Sequence, residues 1–211
     1  MNDQDYIEKN RLSYNEMAPF YKIRGEKRDF KIYQDIIKFS DLVKKNFSNP
    51  SILEIGPGAG VILNYFSQRG FNTRAIDLSE EMIKVAQEMS PRTKYFLGNF
   101  INYDFDNMKF EGIFAKAILH LFSKEDATLF IKKSHEMLVK NGLFYLSVFL
   151  RNASKEGFVA KNMEGGKFVR YSKDWTESEL ECLLNHSQFR VIHTTNIPYG
   201  TMKKWSGILR K

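Results

Sequence analysis

The stretch Ile52-Leu-Glu-Ile-Gly-Pro-Gly-Ala-Gly60 places three glycines, spaced G-x-G-x-G, directly after a short apolar run. Glycines at the end of a strand let the backbone turn tightly and approach a ligand closely. The helix that follows then offers its free N–H groups. Three details decide what such a turn would hold. Val61 stands where the dinucleotide fingerprint G-x-G-x-x-G requires its third glycine. Glu54 lies two residues before Gly56, and a carboxylate there repels a pyrophosphate but suits an ammonium or sulfonium group. Asp77 follows Gly56 by 21 residues, at the end of the next apolar run, where a carboxylate accepts both hydroxyls of a ribose. Charge and spacing together describe a site for an adenosine with a cationic tail.

A second set of residues falls where ligands sit in open α/β sheets, beyond the carboxyl ends of the strands. His120 follows an apolar run, and an ordinary imidazole pKa near ~6.5 suits a general base at neutral pH. A histidine in such a loop serves equally well as a hydrogen-bonding strut. Lys116 at the same rim reads either as a substrate contact or as a solvated cation. Tyr171, farther along, is a candidate to face a substrate. His135, His186 and His193 read as structural. The lone Cys182 cannot form an internal disulfide, and no His/Cys cluster has zinc-site spacing, so no metal is expected.

The elements that must position these residues follow from periodicity. Ser51 to Ile55 reads as a buried first strand, and Val61 to Arg69 as a helix stopped by Gly70. Thr73 to Ile76 makes a second strand closing on Asp77. Ser79 caps a helix with Met82, Ile83, Ala86 and Met89 on one face. Tyr95 to Leu97, Phe110 to Ala115 and Leu143 to Leu150 are further strands. Between the last two, Ser123 and Asp126 resemble a capping box opening a helix that Asn141-Gly142 ends. Tyr33, Ile36, Ile37, Ser40, Val43 and Phe47 fit a helix before the first strand. Residues 151–173 are polar, Gly-containing and basic, like a loop or lid. Thr176 with Glu179 is a clearer capping box. No helical pattern separates Phe189–Thr195 from Lys203–Leu209, so these two strands pair antiparallel.

Composition agrees with a folded α/β chain. Of 211 residues, 43% are hydrophobic and 14% aromatic, which excludes global disorder. No apolar run approaches the ~20 residues that span a bilayer, and the polar N-terminus shows no secretory signal, so a cytoplasmic location without membrane contact is expected. The 32 Lys and Arg against 25 Asp and Glu give a net charge of +7. Residues 20–50 hold eight basic against four acidic side chains, and residues 151–173 six against two. A positive rim of this kind steers an anionic small molecule, an acidic protein or RNA, or is simply a soluble surface.

The order Glu54-x-Gly56-x-Gly58-x-Gly60, then Asp77 in AIDLSEEMI, resembles the class I S-adenosylmethionine-dependent methyltransferases. LGNF at 97–100, FEGIFAKAILHLF at 110–122, the turn before LFYLSVF and the terminal hairpin extend the match. It runs from about residue 14 to the end and is nearest the small stand-alone ubiquinone/menaquinone-methyltransferase-like group. The resemblance implies a three-layer Rossmann-like α/β fold. Its seven-stranded, mostly parallel sheet would have the order 3-2-1-4-5-7-6, with strand 7 antiparallel. A single domain over 1–211 would carry a helical cap at 1–50 and a lid-like insert at 151–173.

S-adenosylmethionine would be the cofactor, leaving as S-adenosylhomocysteine. Gly56, Pro57, Gly58 and Gly60 would lie along its methionine part, with Glu54 ordering the amino group. Asp77 would take the ribose, and Leu78 and Met82 would pack on the adenine. Asn99 and Phe100 occupy the place where many relatives carry an acid facing the adenine amino group. Lys116 and Ala117 should lie near the sulfonium. Tyr14 and Tyr21 would cover the cofactor, and Arg24 would approach its carboxylate. The implied activity is methyl transfer to oxygen, nitrogen or carbon of a small acceptor, anionic ones included, with His120 as base and Lys116, His120 and Tyr171 toward the substrate. An RNA-modifying methyltransferase and a non-catalytic cofactor-binding partner subunit are the rival readings. Oligomeric state is open.

Overall fold

The computed structural model describes residues 3–27, 33–163 and 166–211. Residues 1–2, 28–32 and 164–165, which fall in the expected cap and insert, lie outside the described residues. The chain opens with α1 (Asp3–Lys27), a helix that carries Pro19, and α2 (Gln34–Asn46), which buries Ile36, Phe39, Ser40 and Val43. Alternating units follow: β1 (Ser51–Ile55), α3 (Val61–Gln68), β2 (Asn72–Asp77), α4 (Glu80–Met89), β3 (Lys94–Leu97) and β4 (Phe110–Lys116). A short 3-10 turn at Leu119–Leu121 leads into α5 (Lys124–Met137) and β5 (Leu138–Leu150). The rest comprises β6 (Lys155–Met163), β7 (Gly166–Asp174), α6 (Glu177–Asn185), β8 (Arg190–Tyr199) and β9 (Met202–Arg210).

Seven strands form one sheet in the order β3-β2-β1-β4-β5-β9-β8, with β9 antiparallel to both its neighbours. Setting aside the β6–β7 pair, this is the expected order 3-2-1-4-5-7-6. Alternate residues of the central strands feed two separate cores, as a parallel sheet covered on both faces requires. Leu53, Ile113 and Phe144 pack toward α5 and α6 with Phe130, Leu180 and Trp205. Their neighbours Ile52, Phe114 and Tyr145 pack toward α2 and α3 with Phe39 and Phe66. Phe114 and Tyr145 stack there with centroids 4.3 Å apart. No helix among the described residues is long and apolar enough to cross a membrane.

Three local expectations need correction. The 151–173 segment is not an irregular loop: β6 and β7 form an antiparallel hairpin in register from Lys155↔Asp174 to Met163↔Gly166. Its alternation was hidden because the less exposed positions of β6 are Val159, Lys161 and Met163, an apolar-cationic-apolar series rather than an apolar run. Asn141-Gly142 does not end α5, which stops at Met137. Leu138 already pairs with Phe110, and Asn141 turns through a φ of 62° inside β5. The Ser123 box is only half closed. Ser123 Oγ accepts from the Asp126 N–H at 3.1 Å, but the Asp126 carboxylate accepts the Tyr6 hydroxyl of α1. The Thr176 box closes in both directions, with the Thr176 N–H donating to Glu179 Oε2 at 3.0 Å.

Candidate active site

The carboxyl ends of β1, β2 and β4 open into a cavity of about 620 Å³. This is the crevice where open α/β sheets hold ligands. From the strand ends it is lined by Glu54, Gly56, Pro57 and Gly58 after β1, and by Asp77, Leu78 and Met82 after β2. Asn99 and Phe100 follow β3, and Lys116, Ala117 and His120 follow β4. Tyr14, Tyr21 and Arg24 of α1 close it from above. Thus all but two of the expected site residues meet in one space.

Gly60 is the first exception. It sits at φ 79°, and a Cβ there would lie 2.7 Å from the Ala86 carbonyl oxygen of α4. Its missing side chain lets α3 and α4 approach each other, and it does not line the cavity. Gly58 differs: a Cβ on it would face the Tyr21 ring at 3.6 Å, across the ligand space. Tyr171 is the second exception. It is 5% exposed, and its ring lies 4.5 Å from that of Tyr6. Its hydroxyl donates to Glu156 at 3.1 Å, while its N–H donates to Asn10 Oδ1 at 2.8 Å. Tyr171 therefore clamps the hairpin to α1 and does not line the cavity.

The electrostatics of the floor are unusual for a core. Glu54 is 3% exposed, and its Oε2 has no hydrogen-bond partner among the described residues. Burial pushes its carboxyl well above the usual range, opposed by the charge of Lys116. Asp77 accepts the Ser79 N–H at 2.9 Å, and burial lifts it to about 6 against the backbone N–H groups of Ser79 and Leu78. A buried carboxylate oxygen left unanswered, as in Glu54, is costly unless a cation or donor meets it.

His120 departs from the expectation of an ordinary imidazole. Burial, reinforced by Arg170 and then Lys161, holds it well below 6.5, so it is neutral at pH 7. Asn99 Oδ1 already accepts the Ile101 N–H at 3.0 Å, in a turn that fixes the side chain. Phe100 presents only part of its ring, since it also packs in the core against Phe105 and Phe130.

Sequence reasoning missed the far wall. Tyr6, Asn10, Tyr33, Lys161, Arg170, Tyr199 and Lys204 all line the cavity. The basic excess of residues 151–173 was the available signal for Lys161 and Arg170. No local pattern pointed to the other five. Among the described residues no cluster of three or more His, Cys, Asp or Glu could hold a metal.

Residues 52–142 match the family described as a Methyltransferase domain. A Bacillus cereus (strain 03BB102) protein described as an uncharacterized methyltransferase is 29% identical over 136 residues. That alignment covers 61% of this chain and 62% of the relative, so the chain spans less than two thirds of the curated relatives it matches. The 1,6-didemethyltoxoflavin-N1-methyltransferase of Burkholderia thailandensis superposes with a TM-score of 0.71 at 20% identity, covering 100% of this chain and 91% of that one. Magnesium protoporphyrin IX methyltransferase of Synechocystis PCC 6803 gives 0.68 at 13%, covering 100% and 98%. Strand order, the glycine turn after β1 and the match over 52–142 agree on a Rossmann-like α/β fold whose segment 52–142 is similar to the methyltransferase-domain family.

Proposed function

We propose that the chain is an S-adenosylmethionine-dependent methyltransferase acting on a small-molecule acceptor. The observation that carries this reading is the buried Glu54 at the floor of the cavity, whose Oε2 has no hydrogen-bond partner among the described residues, together with Asp77 at the end of β2. A phosphate-bearing ligand would meet two negative groups there, whereas an ammonium or sulfonium group satisfies Glu54. When bound, S-adenosylmethionine supplies a methyl group already activated by positive sulfur.

The residues of the chain then have separable tasks. Glu54 opposes the positive end of the cofactor. Asp77 accepts the ribose hydroxyls, which favours its ionised form just as the Ser79 and Leu78 N–H groups do. The Asn99 amide, fixed by its turn, offers N–H donors toward the adenine. Tyr14 and Tyr21, with ring centroids 6.0 Å apart, roof the site and exclude water. Holding nucleophile and methyl in line is the main catalytic work, worth large effective molarities. His120, neutral at pH 7, takes a proton only from an acceptor that arrives protonated.

A small acceptor is supported by the cavity, whose volume is within the range of about 300–1,000 Å³ usual for small-molecule sites. The names of both structural relatives are those of enzymes acting on small molecules, 1,6-didemethyltoxoflavin and magnesium protoporphyrin IX. The hairpin β6–β7 with α1 is proposed as the lid of a single domain, and the cytoplasm as its compartment, where the exposed thiol of Cys182 stays reduced. Calorimetric titration with S-adenosylmethionine, S-adenosylhomocysteine and NADH tests the reading. Micromolar binding of the two adenosyl ligands without NADH is expected; binding of NADH alone would overturn it.

A further inference from the structure

Two groups of cations face the cavity, and they differ in their counter-charges. Lys116 and Lys204 flank the ring of Tyr33, 5.5 and 4.3 Å from its centroid. Carboxylates stand near both: Glu54 is coupled to Lys116, and Asp35 Oδ2 lies 3.9 Å from Lys204 Nζ. Arg170 and Lys161, on the facing strands of the hairpin, form the second group, beside the neutral imidazole of His120. Lys161 donates to the Tyr21 hydroxyl at 2.9 Å and sits over the Tyr21 ring at 5.1 Å. Arg170 differs. Its Nε and Nη1 are buried and have no hydrogen-bond partner among the described residues.

A guanidinium removed from water with N–H donors unanswered is costly, and an oxyanion is the group that matches it best. The carboxylates that line the floor, Glu54 and Asp77, repel an anion from the cofactor end. The cations at the strand ends, Lys116 and Lys204, have Glu54 and Asp35 near them, whereas the hairpin offers Arg170 with two donors unmet, so an acceptor with one anionic end is best met at the hairpin. We propose that Arg170, with Lys161 and His120 beside it, is an oxyanion subsite that holds a carboxylate or phosphate of the methyl acceptor. The opposite end of the acceptor, with its nucleophile, then faces the glycine turn. This assignment rests on the cavity serving both cofactor and acceptor as proposed above.

Titration of the full chain with benzoate, phenyl phosphate and the neutral benzamide, with and without S-adenosylhomocysteine, tests it. At least one anion is expected to bind tenfold or more tightly than benzamide, and the preferred one identifies carboxylate or phosphate as the group recognised. R170Q is expected to erase that preference, R170K to restore part of it, and both to leave S-adenosylhomocysteine affinity within about twofold. Equal binding of benzoate, phenyl phosphate and benzamide to the unmodified chain would overturn the subsite without any variant. Loss of S-adenosylhomocysteine binding in R170Q with anion binding intact would also overturn it, assigning Arg170 to the cofactor's own carboxylate. Salt-sensitive binding of a short single-stranded RNA that displaces the anion would do the same in favour of a polynucleotide. A chain that binds no adenosyl ligand yet keeps the Arg170-dependent anion preference would refute the proposed function and leave the subsite standing.

Discussion

The two halves of the cavity are built in opposite ways. The half formed by the strand ends takes Glu54, Gly56, Gly58 and Asp77 from one β-α-β unit, so a single stretch of chain sets their spacing. The half formed by α1 and the hairpin joins residues from opposite parts of the chain. Asn10 meets Tyr171, and Tyr21 meets Lys161. The first half is a rigid carboxylate-rich floor; the second is a cationic, aromatic roof held by a handful of side-chain contacts. Under the proposed function, the floor meets the unchanging cofactor, while the roof can vary with the acceptor.

Substitutions at the two halves should separate these roles. The largest effect is expected from Gly60→Ala, which forces a side chain into a left-handed backbone position and against the Ala86 carbonyl. Urea unfolding should show a loss of about 2–4 kcal/mol. Gly58→Ala meets only an ordinary contact with Tyr21 and should lose about 1 kcal/mol, with its main effect on ligand affinity. If the two variants are equally unstable, the division between a packing glycine and a ligand glycine fails.

Asp77→Ala should weaken S-adenosylhomocysteine binding at least tenfold with the fold intact, since hydrogen bonds to a charged group contribute about 1.5–3 kcal/mol. Unchanged affinity would remove Asp77 from the ribose site. The same residue makes a pH prediction for the ligand-free chain. With its folded pKa raised from 3.8 to about 6, the folded state keeps a proton that the unfolded chain loses. The stability due to Asp77 is complete below the lower value and is lost as pH rises through the upper one. Glu54 acts in the same direction and His120 in the opposite one, so the comparison with Asp77→Asn isolates the effect. The Asn variant should gain stability relative to the unmodified chain as pH rises from about 4 to about 6, with no further gain above that. Parallel pH profiles would contradict the assignment.

Asn10→Ala removes the acceptor for a buried N–H of Tyr171 and should cost about 1–3 kcal/mol. Hydrogen exchange should accelerate in β6 and β7 while β1 and β2 stay protected. Uniform acceleration would show that roof and floor open together. The smallest effect belongs to Tyr171→Phe, which gives up one hydrogen bond to Glu156, about 0.5–1.5 kcal/mol. It should leave binding of both cofactor and anion unchanged.

The same contrast explains what was legible in the sequence. Strand order, both faces of the sheet and the floor of the cavity are encoded by short-range patterns: the apolar runs, the glycines and the carboxylates at fixed offsets. That Gly60 packs against α4 rather than lining the cavity could not be read off, because a glycine required by helix packing and one required by a ligand look identical in sequence. Of the roof, Tyr14, Tyr21, Arg24 and a lid-like insert were legible, but not the contacts that hold it, because these join residues more than a hundred positions apart, such as Tyr6 with Asp126. Nothing near Tyr171 signals that its partner is Asn10. His120 was located at the rim, but its burial beside two cations depends on the hairpin and could not be anticipated.

The clamp between Asn10 and Tyr171 also orders events during synthesis. At roughly 5–20 residues per second, the two partners leave the ribosome on the order of ten seconds or more apart. Throughout that interval Tyr6, Met17 and the aromatic side of α1 lack the hairpin they are destined to cover. The early strands can pair as they emerge, but the ligand space acquires its roof only after β7 has been made. A nascent chain thus exposes its most aromatic helix longest, and that helix is the segment a chaperone would have to shield.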